Sequence, residues 1–198
     1  MKAAILDYGA GNLHSLAKAV RSAGVEVIVT PDPLTAIQAD ALLLPGVGAF
    51  GSAAAALAPH RNTIRTALDN GLPCLGICLG MQLLFETSDE GDGIGLGVIP
   101  GFVRRLNAAR IPQMGWNTLE TTGDDLIALS GLETAYFANS YVCEPANRSC
   151  VTSWAIHESD RFAASVRVKQ IMGVQFHPEK SSAAGCKLIG AFLSGAAR

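Results

Sequence analysis

Lys2-Ala3-Ala4-Ile5-Leu6-Asp7-Tyr8-Gly9-Ala10-Gly11-Asn12-Leu13 opens the chain with a short apolar run, a glycine-rich loop and the first residue of a helical pattern. Leu13, Leu16, Ala17 and Val20 then recur at helical spacing as far as Gly24, a plausible helix-ending glycine, and the β-branched run Val25 to Thr30 follows. This is one β-α-β unit. Ala39 to Leu44 repeats the apolar run and closes on Pro45-Gly46-Val47-Gly48. An alanine-rich helical stretch begins at Ser52, and Leu72 to Ile77 is the next strand. Strands that are apolar throughout, rather than alternating, are covered on both faces, so the first half predicts a parallel sheet flanked by helices. After Gly91 the segments shorten and alternate: Ala135 to Tyr141, Cys150 to Ala155, Phe162 to Val168 and Ile171 to Phe176 are expected as strands in antiparallel or mixed pairings. A helix carrying Leu188, Ile189, Phe192 and Leu193 ends the chain. No linker or repeat interrupts residues 1–198, so a single α/β domain with a mixed, mostly parallel sheet is the expectation.

Composition narrows the function. The 198 residues are 49% hydrophobic, enough for one domain with a sizeable core and without disulfides or a structural metal. Fifteen Lys and Arg against seventeen Asp and Glu give a net charge of -2, which supplies no field for nucleic acid or an anionic membrane. Neither is an expected partner. The N-terminal run meets Asp7 before it reaches signal-peptide length, and five cysteines without a repeated spacing suit reduced thiols, so the expected location is cytoplasmic. No cofactor is expected, nor a metal: Cys74 and Cys78 are claimed by strand and elbow, Cys143 and Cys150 have no nearby histidine at ligand spacing, and Cys74, Cys143, Cys150 and Cys186 are taken as packing residues.

The chemistry concentrates at Gly76-Ile77-Cys78-Leu79-Gly80, between a buried strand and the helical pattern Met81 to Phe85. A sharp strand-to-helix turn strains the backbone at its central residue and brings its neighbours close, which is why glycine is wanted two residues to each side. The turn also puts the sulfur at a helix N-terminus, where thiolate is favoured, and makes the Leu79 N-H an oxyanion donor. A cysteine nucleophile needs a base. Of the four histidines, His177 follows the strand-like run Ile171 to Phe176 and precedes Pro178-Glu179. In an extended chain residues i and i+2 share a face, so Glu179 is placed to orient the imidazole while the other ring nitrogen meets the thiol. Gly46-Val47-Gly48-Ala49-Phe50-Gly51 has two readings. With Asp69 it matches a dinucleotide fingerprint; beside the elbow it instead aims the Gly48 N-H at a developing oxyanion. Gln82, one helical turn after Cys78, points its amide back toward the site.

Together Cys78, His177 and Glu179 resemble the Cys-His-Glu set of the class I, or triad, glutamine amidotransferases. Within that family, Asp7 to Leu13, Leu44 to Gly48, Gly76 to Gln82, Met114-Gly115-Trp116-Asn117 and Gly173 to Ser181 are similar to the glutaminase subunits of imidazole glycerol phosphate synthases. The resemblance implies a flavodoxin-like architecture and hydrolysis of glutamine through a Cys78 thioester. It also implies passage of ammonia to a separate (β/α)8 cyclase subunit. It further implies that Gln82, Glu90, Ser140 and Tyr141 hold glutamine and that Asn12 and Lys180 face the cyclase. Two positions depart from the pattern: Gln113 stands where His is common, and Ile156 to Arg161 lacks an expected Tyr-Gly pair. Other triad amidotransferases, such as the glutaminase of pyridoxal phosphate synthesis or a stand-alone γ-glutamyl hydrolase, remain alternatives at this point.

Overall fold

The computed structural model describes residues 1–9 and 11–196; Ala10 of the opening loop lies outside the described residues. Strand β1 (Lys2–Leu6) leads through α1 (Leu13–Ser22) to β2 (Glu26–Thr30), the unit that the opening pattern predicts. Next come α2 (Pro33–Ala36), β3 (Ala41–Leu44), α3 (Phe50–Leu57), α4 (Arg61–Asp69), β4 (Cys74–Ile77) and α5 (Leu79–Leu83). The second half runs β5 (Thr87–Ser88), β6 (Gly101–Arg105), β7 (Gln113–Thr118), β8 (Glu120–Thr121), α6 (Asp125–Ser130), β9 (Thr134–Asn139) and β10 (Tyr141–Pro145). It closes with β11 (Val151–His157), β12 (Asp160–Val168), β13 (Ile171–Val174) and α7 (Ser182–Ala196).

The main sheet has eight strands in the order β2-β1-β3-β4-β13-β12-β11-β8. Pairings from β2 across to β13 are parallel, and β12, β11 and β8 continue the sheet antiparallel. Alternation within the apolar strands divides the core. Ala3 and Ile5 of β1 pack on one face with Leu16, Val20, Leu188 and Leu193, whereas Ala4 and Leu6 pack on the other with Phe50, Leu79 and Phe85. Two buried faces require both sets to be apolar, and each fully buried Leu, Ile or Phe contributes about 1.5–3 kcal/mol.

One expected strand is divided. Ala135 to Tyr141 breaks at Ser140, with β9 pairing antiparallel to β7 and β10 pairing antiparallel to β6 in separate small sheets. The Asn139 side chain donates to the Tyr141 carbonyl at 3.1 Å, a local side-chain bond that competes with the ladder and turns the chain. Because β1, β3, β4 and β13 are parallel, their carboxyl ends share one edge, where an open α/β sheet presents its loops for binding. Among the described residues no helix is long and apolar enough to cross a membrane.

Candidate active site

Cys78 occupies the single position between β4 and α5, with φ 51° and ψ −105°. A side chain held in that region costs on the order of 1–3 kcal/mol, and the surroundings over-determine it. The Cys78 N-H donates to the Val174 carbonyl of β13 at 2.7 Å. Both flanking glycines are needed for close backbone packing: a Cβ on Gly80 would overlap the Leu44 carbonyl oxygen, and one on Gly76 would stand 2.6 Å from the Gly80 oxygen. The helix after the elbow, Leu79–Leu83, is only five residues long and ends two residues before Phe85, so its dipole is small. Burial pushes the thiols of Cys74 and Cys143 far up and that of Cys150 up as well, which keeps them protonated and unreactive.

His177 follows the carboxyl end of β13 and is 2% exposed. Its Nδ1 lies 2.9 Å from Glu179 Oε1, the pair expected from the sequence. The route to it differs. Pro178–Lys180 forms a single 3-10 turn after His177, so Glu179 reaches back by a turn rather than by strand alternation. Burial by itself depresses the imidazole's proton affinity. The neighbouring charge of Cys78 and the hydrogen bond and charge of Glu179 outweigh it and raise the pKa from 6.5 to about 9. Nε2 is buried and makes no hydrogen bond at rest. Such looseness is common before substrate binds.

A cavity of about 180 Å³ opens over the sulfur, lined by Gly46, Val47, Gly48, Leu79, Gln82, Glu90 and the segment Ala138 to Tyr141. It gathers the expected Gln82, Glu90, Ser140 and Tyr141 around Cys78. Glu90 Oε2 accepts the Phe50 N-H at 2.8 Å, which anchors the carboxylate to the first residue of α3. Pro45 to Gly48 lies against the elbow, since a Cβ on Gly46 would overlap the Ile77 oxygen and stand 2.5 Å from the Leu79 nitrogen. The Tyr8 hydroxyl donates to the Pro45 carbonyl and fixes the start of this loop. Among the described residues neither the Gly48 nor the Leu79 N-H donates to another protein group, and both residues line the cavity. Gly48 has φ 139°, a conformation that favours glycine.

The dinucleotide reading of Gly46 to Gly51 fails on this geometry. Asp69 is exposed on α4 beside Arg65 at 3.8 Å, and Gly46 and Gly48 serve the cysteine cavity instead. Asn12 and Lys180 are both exposed at the carboxyl edge of the sheet, after β1 and β13 respectively. Asn12 also caps α1 by accepting the Ser15 N-H at 3.3 Å. Lys180 Nζ stands 5.7 Å over the Tyr136 ring, which packs T-shaped with exposed Trp116. Gln113 is buried and pairs with Asn139 across the β7–β9 ladder; the side-chain oxygen of each has no hydrogen-bond partner. Ile156 to Arg161 forms the β11–β12 turn. Sequence reasoning missed two residues. Asn139 lines the cavity, and Gln175 donates to Cys78 Sγ at 3.4 Å. The available signal for Gln175 was a lone polar residue in an otherwise apolar strand run.

Comparison with known proteins agrees with this geometry. The family model for glutamine amidotransferase class-I matches residues 4–193. The protein named "Imidazole glycerol phosphate synthase subunit HisH" from Thermus thermophilus is 45% identical over 192 residues, covering 93% of each chain. Its namesake from Corynebacterium diphtheriae is 42% identical, covering 95% of this chain and 96% of its own, and that from Microcystis aeruginosa is 41% identical, covering 96% and 93%. Among solved structures, one titled "Crystal structure of glutamine amidotransferase" superposes with a TM-score of 0.78 at 20% identity, covering 100% of this chain and 99% of that one. Another, "Structure of PurLQS from Thermotoga maritima", gives 0.75 at 19% identity with 98% of each chain covered. Both show the shared fold.

Proposed function

This chain belongs to the class I glutamine amidotransferases, and from that membership we propose that it is the glutaminase subunit of an imidazole glycerol phosphate synthase. Glutamine enters the cavity above Cys78 and is held by Gln82, Glu90 and main-chain groups at Ser140 and Tyr141. The Cys78 sulfur attacks the side-chain amide carbon, and the resulting oxyanion takes hydrogen bonds from the Leu79 and Gly48 N-H groups. His177, carrying a proton at neutral pH because its pKa is about 9, delivers it to the departing ammonia. Water then adds to the thioester, with His177 now accepting a proton, and glutamate leaves as the sulfur is restored. One glutamine and one water give one glutamate and one ammonia. Glu179 keeps the imidazole oriented and stabilises its charged form.

The observation that carries the reading is the buried His177–Glu179 pair standing beside a cysteine in a strained strand-to-helix turn. Ammonia passes to a (β/α)8 cyclase subunit docked on the face bearing Asn12, Lys180 and Trp116. The deciding experiment measures glutamate release by the chain alone, with the cyclase, and with the cyclase and its nucleotide ligand. Stimulation by the cyclase is the expected result, and Cys78→Ala should abolish release while the two subunits still assemble. Full activity in the Cys78→Ala chain would refute the nucleophile, and indifference to the cyclase would favour another triad amidotransferase.

A further inference from the structure

Gln175 is fully buried at the end of β13, where its main-chain N-H donates to the Ala164 carbonyl at 2.8 Å. Its side chain lies outside the cavity wall, yet its Nε2 is 3.4 Å from Cys78 Sγ. We propose that Gln175 is a positioning residue for the nucleophile, holding the sulfur in its attacking position and favouring its ionised form through one amide hydrogen bond. This rests on the functional reading above.

The direction of that bond is set by a chain of amides starting from a backbone carbonyl. The Tyr141 carbonyl can only accept, and it takes both Asn139 Nδ2 at 3.1 Å and Gln82 Nε2 at 3.2 Å. The nitrogen of Gln82 must therefore face it. The second hydrogen of the same nitrogen points to Gln175 Oε1 at 3.4 Å, so the oxygen end of Gln175 faces Gln82. Only the NH2 end remains for the sulfur. Reversing Gln175 would set its nitrogen against the Gln82 nitrogen and its oxygen against the sulfur, losing both bonds. Gln82, with both hydrogens engaged, is left with its carbonyl oxygen for the cavity. A hydrogen bond to the charged form of a group favours that form, and the elbow's short helix contributes little of its own. Gln175 therefore acts on the sulfur from a side that glutamine does not occupy, and its loss should appear in kcat rather than in KM.

The test uses the assembled glutaminase–cyclase complex with Gln175→Met, which keeps the volume without the donor, and Gln175→Glu, which keeps the shape and substitutes an acceptor. Alkylation of Cys78 by iodoacetamide is followed against pH by peptide mass spectrometry, beside kcat and KM for glutamine. In both variants the alkylation profile should move to higher pH. The rate at neutral pH and kcat should each fall about 10- to 100-fold, the span of one hydrogen bond to a charged group, with KM within about twofold of the parent. If the methionine variant does not fold, the isosteric glutamate variant decides. An unmoved alkylation profile overturns the inference, even where kcat has fallen, since that pattern belongs to a merely structural residue. A raised KM with unchanged kcat overturns it too. If the parent complex is not alkylated at Cys78 ahead of its other cysteines, the functional reading itself fails and takes this inference with it.

Discussion

Replacing Cys78 with alanine should change the protonation of a residue it does not bond to at rest. His177 holds its proton up to about pH 9 although burial opposes the charge, because Cys78 and Glu179 beside it outweigh burial. An opposite charge within about 4–6 Å is worth roughly 1–3 pKa units, so removing the sulfur should bring the His177 midpoint down to between about 6 and 8. The same change alters stability. Between the ordinary value of 6.5 and the folded value of about 9, the native chain binds more protons at this ring than the unfolded chain does. Its stabilising contribution is therefore complete below about pH 6.5 and is lost as pH rises through about 9. Cys78→Ala should flatten that pH dependence. The ring proton of His177 can be followed by NMR, assigned by its disappearance in His177→Asn, beside urea denaturation at pH 6, 7.5 and 9. A midpoint still near 9 in Cys78→Ala would show that Glu179 alone sets the charge, and the paired role of sulfur and imidazole would be wrong.

Glu179→Gln should reduce kcat less than His177→Ala does, since an orienting amide remains without the negative charge. Because the two residues act as one unit, the double variant should lose little more than His177→Ala, and losses that simply add in free energy would contradict this. Gly80→Ala should destabilise the fold by about 1–3 kcal/mol or more, read as a lowered Tm, because its Cβ would overlap the Leu44 carbonyl oxygen and backbone must move. An unchanged Tm would count against the close packing of the elbow. Gly48→Ala, at φ 139°, should strain the oxyanion loop. Losing that donor would cost about 2.7–4 kcal/mol, seen as a roughly 100- to 1000-fold lower kcat in the cyclase-stimulated state with the complex still assembled. A change in KM alone would remove Gly48 from the oxyanion site.

The sequence alone determined the parts whose signature is local. Apolar runs at Lys2 to Leu6 and Ala39 to Leu44 announce strands covered on both faces, because a two-faced core forces every position to be apolar. Glycines at 76 and 80 announce the elbow, because backbone approaches its backbone there. His177 and Glu179 are two positions apart, so their pairing was legible even though the turn that makes it was not. Only tertiary structure decided what depends on distant segments. Ala135 to Tyr141 reads as one strand, yet pairing with β7 on one side and β6 on the other divides it at Ser140. The contact of Gln175 with Cys78 joins residues 97 positions apart, and the Glu90 bond to Phe50 spans 40. No periodicity encodes such meetings, because they arise from the order in which strands enter the sheet. The His177 charge has the same origin: its sign follows from a buried balance among burial, Cys78 and Glu179 that exists only once β4 and β13 lie side by side.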